Sequence, residues 1–118
     1  MANKTVTTVN GVLKLRTSTD WNPWTEKTAD YTAVDYDDIG VNTTGGAVTI
    51  TLPASPSNGS KVRVIDSASN FGTASCFIAT TDSSTIQYTA TPFEIDLDEV
   101  SCELVYDSNS TSWIIYKT

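Results

Sequence analysis

Residues 93–106 read FEIDLDEVSCELVY. Phe93, Ile95 and Leu97 alternate with Glu94, Asp96 and Asp98, and then Val100, Cys102, Leu104 and Tyr106 form a second spaced apolar row. Successive side chains of a strand point to opposite faces, so each run has one dry face and one wet face. That pattern predicts an antiparallel sandwich, in which a sheet meets the core on one side and water on the other. Working outward, similar runs recur at intervals of about ten residues, the spacing of a sandwich or barrel. They cover 31–35, 39–42, 47–52, 61–66 (Val62 and Val64 in, Arg63 out), 76–80, 85–88 and 112–117. Thr43-Thr44-Gly45-Gly46 reads as a turn, and the prolines of PASPSNG (53–59) end strand pairing.

Composition agrees with an all-β chain. At 118 residues the chain fits one domain able to bury a working core without metal or disulfides. Only 39% of residues are hydrophobic and 18% charged, the difference being taken up by 20 Thr and 13 Ser. Val, Ile and Thr carry two heavy atoms on Cβ, which suit a pleated surface and crowd a helix.

The same composition excludes several function classes. Net charge is −7, and the five Lys and two Arg are scattered. Nucleic-acid binding needs clustered positive charge to displace counterions, and an anionic membrane surface would need the same. No run of about 18 apolar residues is present. MANKTVTTVNG lacks the apolar stretch of a secretory signal, so synthesis in the cytoplasm is expected, and the N-x-[ST] triplets at Asn3, Asn42, Asn58 and Asn109 read as accidents of Ser/Thr richness. The absence of histidine removes the commonest general base and metal ligand, and no serine sits in a nucleophile-elbow motif. No catalytic residue and no cofactor is expected. The carboxylates of VDYDDIG (34–40) and EIDLDEV (94–100) could pair as a glycosidase couple or hold calcium, but a solvated acidic strand face is the preferred reading. Cys76 and Cys102 are read as buried free thiols in preference to a cross-strand disulfide.

The N-terminal 30 residues stand apart. In TVTTVNGVLKLR (5–16), Asn10-Gly11 supplies the positive φ angles of a hairpin turn between two strand-like runs. The register then sets Val9 against Val12, Thr8 against Leu13, Thr7 against Lys14 and Val6 against Leu15. A lone two-stranded hairpin is marginal in water, so Val6, Leu13 and Leu15 need another surface to lie on. STDWNPWTEKTADY (18–31) follows, read as a loop, with Trp21 and Trp24 around Asn22-Pro23. The two rings could form a sugar platform with Asp20, Asn22 or Glu26, a lid over the protein's own core, or a plug for another chain. A sugar platform needs rings already fixed in place, which a loop does not provide. The contact readings are therefore preferred, and Val6, Leu13, Leu15, Trp21 and Trp24 are the candidate partner-binding residues.

From residue 31 onward the chain resembles a β-sandwich module of tailed-bacteriophage virion proteins, found in head-surface and tail-fibre proteins. The resemblance rests on an opening strand leading to TGGAVTITLP (44–53), a Pro/Asn/Gly loop, KVRVID (61–66), and ELVYD (103–107) returning through Ser and Asn to Trp113-Ile114-Ile115. It implies a jelly-roll-like sandwich over 31–118 preceded by a hairpin attachment arm over 1–30. It further implies a structural, homotrimeric component of the virion whose partners are capsid or other virion proteins. A capsid decoration or head-fibre protein is the leading expectation. A tail-fibre component or a module binding host-surface glycan is the alternative.

Overall fold

The computed structural model describes the backbone of residues 3–9, 12–19 and 21–117, and the side chains of residues 21–116. The strands are β1 (Asn3–Val9), β2 (Val12–Thr19), β3 (Thr25–Lys27), β4 (Tyr31–Thr32), β5 (Asp37–Val41), β6 (Val48–Thr51), β7 (Lys61–Asp66), β8 (Cys76–Ala79), β9 (Thr85–Ile86), β10 (Phe93–Ile95), β11 (Ser101–Asp107) and β12 (Ser112–Lys117). Among the described residues there is no helix. β1 and β2 form a two-stranded antiparallel sheet with Val6 opposite Leu15 and Val9 opposite Val12. A four-stranded sheet has the order β10-β8-β6-β4, and a six-stranded sheet the order β3-β5-β7-β11-β12-β9. These two share one core, an arrangement compatible with a β-sandwich. Its members alternate along the strands: Val48 and Ile50, Val62 and Val64, Cys76 and Ile78, then Cys102, Leu104 and Tyr106. Trp113, Phe71 and Leu52 complete it, fully buried.

The sheets are mixed, and the antiparallel expectation is corrected. β3–β5, β5–β7, β4–β6, β6–β8 and β9–β12 pair in parallel, whereas β7–β11, β11–β12 and β8–β10 are antiparallel. The cause lies in the connections. From β4 to β10 each strand joins the sheet opposite its predecessor, so β4, β6 and β8 are neighbours in one sheet and β5 and β7 in the other. Parallel neighbours need a long crossover, usually a helix. Here a strand in the facing sheet takes the helix's place. Period-two alternation reports which face is dry and carries no information about strand direction.

Several ends also differ. Thr25–Lys27, read as loop, is an edge strand lying beside β5, with Glu26 opposite Gly40. The run 85–88 stops as a strand at Ile86, because Gln87 and Tyr88 both take positive φ (49° and 62°) and reverse the chain. Ile86 and Thr89 close that turn with two backbone hydrogen bonds of 3.0 and 2.9 Å. Of the expected row Phe93, Ile95 and Leu97, Ile95 is buried and Phe93 packs on the core, but Leu97 is 67% exposed. The strand ends at Ile95, after which Asp98 accepts Gly72 N–H (2.8 Å) and Asp66 accepts Glu99 N–H (3.0 Å). Those bonds draw the chain off the strand path.

Candidate functional site

The two tryptophans lie on the outer face of the six-stranded sheet, and the residues between them are tightly held. Asn22 N–H donates to the carbonyl of Tyr36 (2.9 Å), and its side-chain amide donates to Asp35 O (3.1 Å) and Asp37 Oδ1 (3.4 Å). Tyr36 takes φ of 68°, a costly conformation for a bulky residue, and its own N–H is fixed by Lys61 O at 2.7 Å. The Trp21 ring meets Tyr36 edge-on at 6.2 Å, and the Arg63 guanidinium stacks over it at 4.1 Å. Trp24 lies on the backbone of Gly40, so closely that a Cβ at residue 40 would overlap its Cζ2. That is why residue 40 has no side chain. Trp24 remains 53% exposed, and β3 begins immediately after it.

Register arranges the rest of the face in rows. In one row Asp38 of β5, Arg63 of β7 and Glu103 of β11 are successive partners. Arg63 reaches Asp38 at 3.4 Å and Glu103 at 3.9 Å, distances that at a partly exposed site are worth less than about 1 kcal/mol each. In the next row stand Gly40 with Trp24 upon it, then Ile65 and Ser101. Ile65 is 38% exposed. Arg63, Ile65, Ser101 and Glu103 line a depression of about 350 Å3. An aliphatic floor, a fork of N–H donors and a carboxylate acceptor thus meet in this depression, while Trp24 is seated on Gly40 of the neighbouring strand. A second, more apolar groove of about 290 Å3 lies where β10 approaches β11 and β12, lined by Phe93, Ile95, Leu97, Val100 and Ile115.

The acidic run 35–38 proves to be a set of fasteners and not an open acidic face. Asp35 accepts Lys61 N–H (3.0 Å) and Ser60 Oγ–H (3.3 Å). Asp37, largely buried, accepts the Tyr31 hydroxyl (2.7 Å) and Val34 N–H (2.9 Å). Burial, then the hydrogen bond and negative charge of Asp37, pushes Tyr31 up to about 12. Glu94 and Glu99 accept Ser75 and Ser69 hydroxyls. Among the described residues no three carboxylates or thiols converge as metal ligands. Cys76 and Cys102 are buried and unpaired, and burial raises their thiols to about 12 and about 11.

Of the expected partner-binding residues, the structure brings Trp21 and Trp24 onto one face. Val6, Leu13 and Leu15 stand in β1 and β2, where the register places Val6 opposite Leu15 and Leu13 opposite Thr8; their side chains lie outside the described residues. Of the polar partners first considered for a sugar, Asn22 is bonded to the 35–37 turn, Glu26 accepts the Ser67 hydroxyl at 2.9 Å, and Asp20 lies outside the described residues. Arg63, Ile65, Ser101 and Glu103 were missed. Their only sequence signal was an outward position on a strand, and strand order alone sets them together on the outer face of the six-stranded sheet. Comparison with known protein families and with curated proteins finds no match for this chain.

Proposed function

We propose that this chain is a non-enzymatic structural protein of a bacteriophage virion, a capsid decoration or head-fibre protein. It is attached by an N-terminal hairpin arm and presents a jelly-roll-like sandwich outward. The observation that supports this reading is that β1 and β2 pair with each other in a sheet separate from the other two. Two strands alone are marginal in water, so the row Val6, Leu13 and Leu15 calls for a surface belonging to a partner. Charge favours the same division. Lys4, Lys14 and Arg16 make residues 1–19 basic, while all 14 acidic residues lie from Asp20 onward. The partners are capsid or other virion proteins, the assembly is a homotrimer, and neither nucleic acid nor membrane is engaged. The protein is made in the host cytoplasm and resides in the virion.

Copy number in purified particles, measured by quantitative mass spectrometry against the major capsid protein, tests this reading. Hundreds of copies fit a shell decoration, and a handful moves the protein to a tail fibre or a unique vertex. Complete absence from particles refutes the virion reading. Removing residues 2–20 should abolish particle attachment and leave the sandwich folded, because residues 21–27 are built onto the six-stranded sheet.

A second reading, a glycan-binding module for host adsorption, is favoured by one observation. The tryptophan rings are fixed on a sheet and not carried on a loose loop, which removes the objection raised from sequence.

A further inference from the structure

We infer that the groove beside β10 receives β2 from the hairpin of a second copy of this chain, which adds a strand to the edge of the four-stranded sheet. This inference rests on the reading of residues 1–19 as an arm that needs a partner's surface, and it names a sister copy as that partner.

The groove lies at an unfinished edge of the fold. β10 ends its sheet, with β8 on one side and no strand on the other among the described residues. Phe93, Ile95 and Leu97 line the groove with Val100, just before β11, and Ile115 of β12. No residue of β8 lines it, so it opens on the unpaired side of β10. Four strands face six here, and the apolar surface is left incompletely covered: Phe93, Val100 and Ile115 are only partly buried and Leu97 is 67% exposed. Such an edge offers a row of backbone N–H and C=O groups to an incoming strand, with room beneath for its alternate side chains.

The hairpin carries the matching pattern. Leu13-Lys14-Leu15-Arg16 of β2 alternates apolar with cationic, and Phe93-Glu94-Ile95-Asp96-Leu97 alternates apolar with anionic. Paired strands share their faces residue by residue. A register that sets Leu13 and Leu15 in the row of Phe93, Ile95 and Leu97 therefore also sets Lys14 and Arg16 in the row of Glu94 and Asp96. This holds for either strand direction. A slip of one residue would set leucines against carboxylates, so the pairing specifies its own register. Glu94 and Asp96 are exposed, and no Lys or Arg lines the groove. Glu94 accepts the Ser75 hydroxyl at 2.7 Å, and a carboxylate that accepts one such bond keeps acceptor sites for a cation.

The hairpin of the same copy is badly placed to fill this groove. A single residue separates the end of β2 at Thr19 from Trp21, whose ring lies under Arg63 on the outer face of the six-stranded sheet. The groove opens between the sheets, on the inner side of β11 and β12. Its own arm would have to pass both strands and round the sheet edge with one residue of slack. A neighbouring copy's arm meets no such limit. Each copy then gives one arm and receives another, a head-to-tail contact of the kind that closes into rings, three copies to a ring in the homotrimeric reading.

Sedimentation equilibrium of the full chain tests this, with melting temperature recorded for every variant. The unsubstituted chain should self-associate with a Kd on the order of 10 μM or tighter. Lys14→Glu with Arg16→Glu should weaken self-association at least tenfold, and so should Glu94→Lys with Asp96→Lys. Mixing the two double variants should restore it, because each arm then meets a groove of opposite charge. Leu97→Lys, at an exposed position in the groove, should also weaken association and stands in if the Glu94 variant fails to fold. If the arm variant dissociates the chain while the groove variants leave it associated, the hairpin has another seat and this site is wrong. If the unsubstituted chain is monomeric at about 1 mM, the second-copy proposal falls. Uptake into particles through residues 2–20 would then keep the arm reading, with a shell protein as its partner. The proposal falls equally if the chain is a monomer and uniting all four charge reversals in it recovers a melting temperature that either pair lowers, since the arm then fills its own copy's groove.

Discussion

Gly40→Ala offers a sharp test of how Trp24 is held. The added methyl would overlap Trp24 Cζ2, lie 3.0 Å from Cε2 and lie 3.0 Å from Ser67 Cβ. A fused bicyclic ring cannot yield at one atom, so the whole indole must lift from the sheet. A buried tryptophan covers 150–250 Å2, and Trp24 at 53% exposure keeps about 100 Å2 of it out of water. At roughly 25 cal/mol per Å2 that contact is worth up to about 2.5 kcal/mol. Lifting the ring should forfeit about half or more of it. Against this, replacing a strand glycine by alanine returns about 0.5–1 kcal/mol of chain entropy. Gly40→Ala should therefore destabilise the protein by about 1 kcal/mol, and in a Trp24→Ala background the same change should be neutral or stabilising by up to about 1 kcal/mol. The Ser67 contact is common to both backgrounds and cancels in the cycle. Urea unfolding followed by circular dichroism, which does not depend on the tryptophan removed, gives the four free energies. Equal cost of Gly40→Ala in both backgrounds would refute the claim that the ring occupies the space above residue 40.

Other expectations follow from the same geometry. Asp66 is buried, which alone would raise its carboxyl, but N–H bonds from Phe71, Asn70 and Glu99 outweigh burial and hold it below the ordinary carboxylate range. A folded-state pKa lowered in this way adds stability above the unfolded value of about 3.9 and loses it as pH falls through the folded value. Asp66→Asn should cost about 2 kcal/mol at neutral pH by leaving N–H donors unpaired, and should flatten the acid limb of a Tm-versus-pH curve; an unchanged acid limb would count against it. With burial raising Cys76 to about 12 and Cys102 to about 11, an aromatic disulfide reagent at about pH 8 should label neither thiol in the native protein and both after unfolding. Stoichiometric native labelling would show that the core opens. Trp113 is fully buried and its Nε1 has no hydrogen-bond partner among the described residues. Trp113→Phe removes that orphaned donor and should cost no more than about 1 kcal/mol, against roughly 3–5 for Trp113→Ala. Denaturant midpoints compare the two, and equal losses would mean that the N–H carries no penalty.

The sequence by itself determined the all-β class, because β-branched composition and period-two alternation are local properties of strands. KVRVID and SWIIYK form strands at the expected bounds, Val62 and Val64 are buried, and of the row read from VSCELVY Cys102, Leu104 and Tyr106 are buried while Val100 is partly buried against the core. What alternation could not encode is direction, so the parallel β5–β7 and β6–β8 pairs were out of its reach. The Gln87-Tyr88 reversal was equally hidden, since neither residue is one that ordinarily takes positive φ. Bonds to Ser112 Oγ and Trp113 O, from a strand about 25 residues further on, hold it there. Trp21 and Trp24 were legible as an anomaly in a polar stretch, but their meaning was not. Three polar residues, Thr25–Lys27, become a strand only because β5 offers an edge to pair with. That pairing and the bare backbone of Gly40 turn two loop tryptophans into parts of a fixed surface. Arg63, Ile65, Ser101 and Glu103 come from strands about 40 residues apart and share one sheet face only through strand order. Strand order is settled by how two sheets bury one shared core, a long-range condition that no local stretch of the chain contains.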